Sequence, residues 1–136
     1  MIDVGNAVRI NYWLGAVALL LLAGCAPQPA QDAGRYLVYF DEFSAFITAD
    51  ARQVVADAAK QAKALGTRSI RIEGRASATG SPDANRHLAE TRAQIVADEL
   101  AKDGIPPAML KQAPIGQTGS GDPGVTERRV DIVLEK

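Results

Sequence analysis

Two side chains in this sequence stand out because their chemistry does not match the apolar residues around them. Cys25 is the single cysteine of the chain, and it directly follows an apolar run. Arg92 lies four residues from both Leu88 and Val96, which places it on the apolar stripe of a helical segment. A thiol at the end of an apolar run is a candidate for covalent modification, and a buried guanidinium is a candidate for binding a carboxylate.

The residues before Cys25 indicate a segment that is removed after export. The apolar block at residues 12–22 is too short to span a bilayer, which takes about 20 residues, and it fits the apolar region of a secretory signal. The tetrapeptide Leu22-Ala23-Gly24-Cys25 resembles a bacterial lipobox, in which the cysteine is diacylated and becomes the new N-terminus. We therefore expect residues 1–24 to be a lipoprotein signal peptide. The alternative is a short membrane anchor, or an ordinary signal with a chance cysteine.

Residues 25–35 are expected to be the lipidated cysteine and a flexible tether. The stretch after Cys25 (APQPAQDAGR) is rich in proline, alanine and polar residues and has no periodicity. Each buried acyl CH₂ contributes about 0.8 kcal/mol, so two or more acyl chains hold a protein firmly on a membrane. Ala26, rather than an aspartate, follows the cysteine, which in lipoproteins of this type implies export to the outer membrane. We expect a palmitate-type anchor on Cys25 and a domain that faces the periplasm.

Composition and charge exclude several kinds of function. The formal net charge is −1, whereas a nucleic-acid-binding domain needs a surplus of basic residues. His87 is the single histidine, and with one cysteine the sequence offers neither a disulfide nor a multi-cysteine metal cluster. Ser44, Ser77 and Ser81 lack the glycine-flanked turn of hydrolase nucleophiles. We expect no enzyme, no cofactor, no metal and no nucleic-acid partner, and we expect His87 to be a surface residue.

Hydrophobic periodicity in residues 36–136 predicts one α/β domain, an α+β sandwich. The order of elements is β-α-β-α-β-β, giving a mixed four-stranded sheet with both helices on one face. Thr48 and Gly66 are expected to begin and end the first helix, and Asp83 and Gly104 the second. The predicted strands cover residues 36–40, 69–74, 110–115 and 129–134, and a glycine-rich loop covers residues 116–125.

Short motifs occur in a defined order along this domain. They are Phe40-Asp41 with Thr48 seven residues later, NRHLAETRA at residues 85–93, GIP at residues 104–106 and RRVDI at residues 128–132. Together they resemble the OmpA-like domain of outer-membrane proteins and peptidoglycan-associated lipoproteins, whose helix motif is N-x-x-L-S-x-x-R-A. The resemblance covers residues 36–135 and implies the same fold.

The resemblance also implies a pocket for the stem peptide of peptidoglycan. In that family an aspartate after the second strand holds the ammonium group of diaminopimelate, and an arginine early in the second helix holds its carboxylate. The arginine matches Arg92, but Ser77 stands where the aspartate belongs. We expect a ligand pocket formed by Ser77, Asn85, Arg92 and Arg128, weakened by the lost charge-assisted hydrogen bond at residue 77. Arg75, if it points into the pocket, would also repel an ammonium group.

For three of these residues the sequence leaves open a purely structural role. Arg92 would then pair with an internal acid such as Asp41 or Asp83. Asn85 would cap the helix, and Arg128 would be a solvated residue at the end of a strand.

The expected function is that of an outer-membrane lipoprotein that binds peptidoglycan non-covalently and tethers the membrane to the wall. The alternative is an OmpA-like domain that has lost the wall ligand and serves as a protein-interaction component of an envelope assembly. The changes at residues 75–77 favour the alternative, and the lipobox together with the remaining motifs favours the tether.

Overall fold

The computed structural model describes residues 34–117 and 124–136. The elements, in chain order, are β1 (Arg35–Tyr39), α1 (Ala49–Leu65), β2 (Ser69–Ala76), α2 (Pro82–Lys102), β3 (Leu110–Gln112), β4 (Gly116–Gln117) and β5 (Arg129–Glu135), with 3₁₀ turns at Pro107–Met109 and Val125–Glu127. The expected signal peptide, Cys25 and most of the expected tether lie outside the described residues. Arg35, expected at the end of the tether, is the first residue of β1. Within the described part of the chain, neither α-helix is long and apolar enough to span a membrane.

The sheet is mixed, as predicted, but it has five strands where four were expected. The strand order is β1-β5-β2-β3, with β5 antiparallel to β1 and β2, and β3 parallel to β2. β4 pairs with β2 beyond the end of β3. The expected single strand at 110–115 is divided around Pro114, although the Ala113 N–H still donates to the Ile72 oxygen and the Ile115 N–H to the Gly74 oxygen, both at 2.8 Å. Gly116, expected in a loop, instead begins β4 with a φ of 77°.

The helix boundaries follow from capping residues. The Thr48 hydroxyl accepts a hydrogen bond from the Ala51 N–H at 3.1 Å, and Gly66 ends α1 with a left-handed φ of 61°, both as predicted. The expectation that Asp83 caps α2 is wrong. Ser81 caps it, because Pro82 lacks an N–H and its fixed φ suits the first helical position.

The core lies between the helices and one face of the sheet. Alternate residues of β2 and β5 point to this face and are fully buried, among them Ile70, Ile72, Val130 and Ile132. Both helices supply small or branched residues to the same cluster, including Val55, Ala58, Val96 and Leu100. The two helices therefore pack on one face, as expected for this fold.

A close approach at Gly74 fixes α2 on the end of β2. A Cβ at Gly74 would lie 2.1 Å from the backbone oxygen of Ala89 and 3.2 Å from the Cβ of Ala93, so a larger residue does not fit. The glycine therefore brings the first half of α2 against the last residues of β2. This contact positions the candidate site, which begins where β2 ends.

Candidate functional site

Arg92 is fully buried and is held by backbone carbonyls. Its Nε donates to the Ser44 oxygen at 2.8 Å, its Nη2 to the Asp41 oxygen at 2.8 Å, and its Nη1 to the Arg75 oxygen at 3.1 Å. Its guanidinium also lies 5.2 Å from the centroid of the Phe40 ring. The guanidinium therefore links the loop after β1 to the end of β2.

Neither of the expected internal acids neutralises Arg92. Asp41 supplies its carbonyl, and the Asp83 carboxylate lies 3.8 Å from Arg86. Among residues 34–117 and 124–136, no carboxylate is within ion-pairing distance of the Arg92 guanidinium. Burial, and then the positive charge of Arg128, lowers the pKa of Arg92 to about 10. Arg92 is therefore still charged at neutral pH.

Ser77 and Arg128 lie at the same end of the sheet as Arg92. β2 extends two residues further than predicted, so Ser77 follows the strand directly and is 5% exposed. No hydrogen bond to its hydroxyl is found within the described part of the chain. Arg128 precedes β5, and its carbonyl accepts a hydrogen bond from the Phe40 N–H at 2.9 Å.

Arg75 does not point into this region. Because it lies between Gly74 and Ala76, which face α2, its side chain is on the opposite face of the sheet. There its guanidinium is 3.3 Å from the Glu73 carboxylate and 3.6 Å from the Asp131 carboxylate. Arg75 is therefore not placed to repel an ammonium group in the expected pocket.

Asn85 closes the loop between β2 and α2. Its Nδ2 donates to the Thr79 oxygen at 3.0 Å, and the side chain is almost fully buried. It is not the helix cap, because Ser81 has that role. The amide instead fixes the shape of the loop where it meets the first turn of α2.

A cleft of about 350 Å³ opens beside this loop. It is lined by Phe43, Thr79, Gly80, Ala84, Asn85, His87, Leu88 and Thr91. Of the four expected pocket residues, only Asn85 lines it. Arg92 acts on the cleft indirectly, because it binds the carbonyls on either side of Phe43.

His87 and Phe43 are lining residues that the sequence did not single out for the site. His87 is exposed, as expected, with Nδ1 3.3 Å from the Glu90 carboxylate. Phe43 has a φ of 52°, a left-handed conformation that costs a non-glycine residue about 1–2 kcal/mol. Full burial of a phenylalanine contributes about 1.5–3 kcal/mol, but this ring is 67% exposed and recovers only a fraction of that. Nothing in the residue pattern at 41–44 signals this backbone conformation.

The chemistry available in the cleft is that of binding. Its walls are apolar or small, with an amide, hydroxyl groups and the N-terminus of a long helix at one end, where exposed N–H groups favour an anionic group. Among residues 34–117 and 124–136, no group of three histidine, cysteine or acidic side chains is placed to hold a metal ion.

Solved structures share this fold. The peptidoglycan-associated lipoprotein from Burkholderia pseudomallei is 24% identical, with a TM-score of 0.66, over 74% of this chain and 90% of that one. The OmpA-like domain of FopA1 from Francisella tularensis is 23% identical, with a TM-score of 0.66, over 74% of this chain and 70% of that one. The C-terminal domain of MotB from Helicobacter pylori is 25% identical, with a TM-score of 0.64, over 74% and 84%.

Sequence comparison leads to the same family. An outer membrane protein of Gluconacetobacter diazotrophicus is 34% identical in an alignment of 121 residues, and the match covers 80% of this chain. The match covers 31% of that relative, so this chain spans about a third of its length. The model of the OmpA family matches residues 39–129. That match takes in more than half of the sequence and every element from the end of β1 to the start of β5, and the chain belongs to the OmpA family.

Proposed function

We propose that this chain is an outer-membrane lipoprotein whose periplasmic domain binds peptidoglycan non-covalently through the cleft and so tethers the membrane to the wall. The observation that carries the proposal is the cleft at the first turns of α2, next to Arg92, whose charge no carboxylate of residues 34–117 and 124–136 neutralises. Cys25 holds the lipid in this proposal, and residues 26–34 form the tether. The names of the relatives, an outer membrane protein and a peptidoglycan-associated lipoprotein, support the same location and ligand.

The proposed ligand group near Arg92 is a carboxylate of the stem peptide. Arg92 is fully buried and does not line the cleft, so it acts on this group through its charge and through the loop that it holds. Its Nε and Nη2 bind the Ser44 and Asp41 carbonyls on either side of Phe43. Ser77 and Asn85 supply neutral polar groups, and Arg128 lies close enough to Arg92 to lower its pKa.

Sedimentation with purified diaminopimelate-containing sacculi tests the proposal, using full-length protein in detergent. We expect the wild-type protein to sediment and free diaminopimelate to compete. Arg92→Met should weaken binding about tenfold, because the nearby charge is lost and the Asp41 and Ser44 carbonyls beside the cleft are released. Arg86→Met is the matched control, because Arg86 is an exposed arginine on the same helix. Wild-type protein that stays in the supernatant with sacculi in excess contradicts the proposal.

A protein-interaction role is the second candidate, and the neutral Ser77 favours it because an ammonium group finds no carboxylate there. Ser77→Asp separates the two candidates. If wild-type protein fails to sediment and Ser77→Asp sediments, the domain has lost the wall ligand and the interaction role stands. If both sediment, and Ser77→Asp binds about tenfold more tightly, the tether stands with a weakened pocket.

The proposed anchor has its own test. Cys25→Ser removes the thiol that would carry the acyl chains, so the protein should leave the membrane fraction. Fractionation followed by immunoblotting measures this. Retention of Cys25→Ser in the membrane fraction would show that the lipid is not what holds the protein.

A further inference from the structure

We propose that Phe43 is a ligand-contacting residue of the cleft, whose ring covers the aliphatic part of a bound stem-peptide side chain. The inference rests on the proposed function and extends it to a residue outside the expected pocket. Phe43 lies in the loop after β1, and its ring forms one wall of the cleft.

The backbone at Phe43 is held in an unfavourable conformation by its neighbours. The Asp41 and Ser44 carbonyls flank it in sequence, and both accept hydrogen bonds from the Arg92 guanidinium. The Ser44 N–H also donates to the Asp41 oxygen at 3.2 Å, which closes the turn. A left-handed residue at this turn position is normally glycine or asparagine. Strain that the surroundings enforce in this way is typical of binding sites.

Folding does not explain why a phenylalanine occupies this position. The ring is 67% exposed, so the core gains little from it. It stands instead against the loop after β2, where its Cε1 is 3.9 Å from the position of a Cβ on Gly80. The ring and Gly80 thus form the lip of the cleft, opposite the first turns of α2.

The lining of the cleft indicates the part of the ligand that the ring contacts. Ala84 and Leu88 make one wall apolar, and Phe43 adds an apolar wall of its own. The polar groups, among them Asn85 and Thr79, lie where the loop meets the helix. An aliphatic chain with polar ends matches this distribution, and a stem-peptide diamino acid has that chemistry.

The test compares Phe43→Gly with Phe46→Ala in the sacculus assay and in thermal unfolding. Phe46 is a matched control because it is also 67% exposed, lies in the same loop and is not part of the cleft lining. Phe43→Gly should weaken binding about 2- to 10-fold, the effect of losing one aromatic contact, while its unfolding midpoint stays the same or rises as the strain is relieved. Phe43→Asn, which tolerates the same backbone conformation, should behave in the same way, and Phe46→Ala should bind like wild type.

The outcomes distinguish failure of this inference from failure of the proposed function. If wild-type protein binds sacculi and both Phe43 variants bind equally well, the inference is wrong and the proposed function stands. If Phe46→Ala loses as much binding as Phe43→Gly, the effect comes from general apolar exposure, and the placement at the cleft is wrong. If wild-type protein does not bind sacculi, the proposed function fails and this inference fails with it.

Discussion

Two fully buried charges, Arg92 and Asp131, lie on opposite faces of the same sheet and are treated in opposite ways. Asp131 is surrounded by Arg129 at 2.7 Å, Arg35 at 3.4 Å and Arg75 at 3.6 Å. Arg92 is surrounded by neutral carbonyls and an aromatic ring. Burying an ion costs several kcal/mol unless an opposite charge compensates it. Asp131 has that compensation within the domain, whereas the partners of Arg92 in the described part of the chain are carbonyl dipoles and the Phe40 ring.

The pKa shifts of two arginines express the same difference. Burial alone would lower the pKa of Arg129, but its hydrogen bond to Asp131 and the charge of that carboxylate raise it above its ordinary value. The pKa of Arg92 is instead lowered to about 10, because burial and the charge of Arg128 act in the same direction. Asp131 thus has its charge compensated by neighbouring arginines, whereas Arg92 has no carboxylate partner among residues 34–117 and 124–136.

Removing the buried anion should give the largest effect on stability. Asp131→Ala leaves three arginines facing each other without their carboxylate, and we expect a loss of about 3 kcal/mol, the lower end for breaking a buried ion pair. Urea unfolding followed by circular dichroism measures it. Asp98→Asn, at an exposed helix position, should change stability by less than about 0.5 kcal/mol. Equal unfolding midpoints for Asp131→Ala and Asp98→Asn would remove the contrast between the two faces.

Replacing the buried cation should cost less stability. Arg92→Met keeps the volume and loses three hydrogen bonds to carbonyls. It also removes a buried charge that no carboxylate in the described part of the chain compensates, so we expect a loss of about 1–2 kcal/mol in urea unfolding. The order of the two variants should reverse in the sacculus assay, where Asp131→Ala, measured below its unfolding midpoint, should bind like wild type. A larger stability loss for Arg92→Met than for Asp131→Ala would mean that the carbonyls compensate Arg92 fully.

The smallest effect is expected at the outer end of the Asp131 face, at Glu135. The Ser69 hydrogen bond and, after it, the Arg71 guanidinium hold the pKa of Glu135 below its ordinary value of 4.5, against a smaller opposing effect of burial. Stability from a lowered carboxylate pKa is present above the unfolded value and is lost as the pH falls through the folded one. Ser69→Ala should therefore lower the thermal midpoint more at pH 7 than at pH 3. In a Glu135→Gln background this pH dependence should disappear.

The sequence predicts well whatever depends on local pattern. Alternation in β2 and β5 identifies their buried faces, and Thr48 and Gly66 mark the ends of α1. The sequence predicts less well a backbone conformation that is set by contacts between residues far apart in the chain. The conformation of Phe43 arises from hydrogen bonds to a residue almost fifty positions later, and no local pattern contains that contact.

Two further differences from the sequence prediction lie at prolines. Pro82 moves the helix cap to Ser81, and the division between β3 and β4 falls at Pro114. The predicted strand ended at residue 74, so it did not include Arg75. Because β2 continues to Ala76, its side chains alternate between the two faces through Arg75, which lies on the face opposite α2. Motif similarity therefore predicts a site at one end of the sheet, and of the four predicted residues the structure places Asn85 in the lining of the cleft there.

The antiparallel pairing of β1 with β5 has a mechanical consequence for the proposed tether. The chain enters β1 at Arg35, and the loop that borders the cleft leaves β1 at its other end. A pull between membrane and wall is therefore directed along the strand, so the hydrogen bonds of the ladder are loaded together in shear rather than opened one after another. A short edge strand in this orientation resists force better than its length suggests.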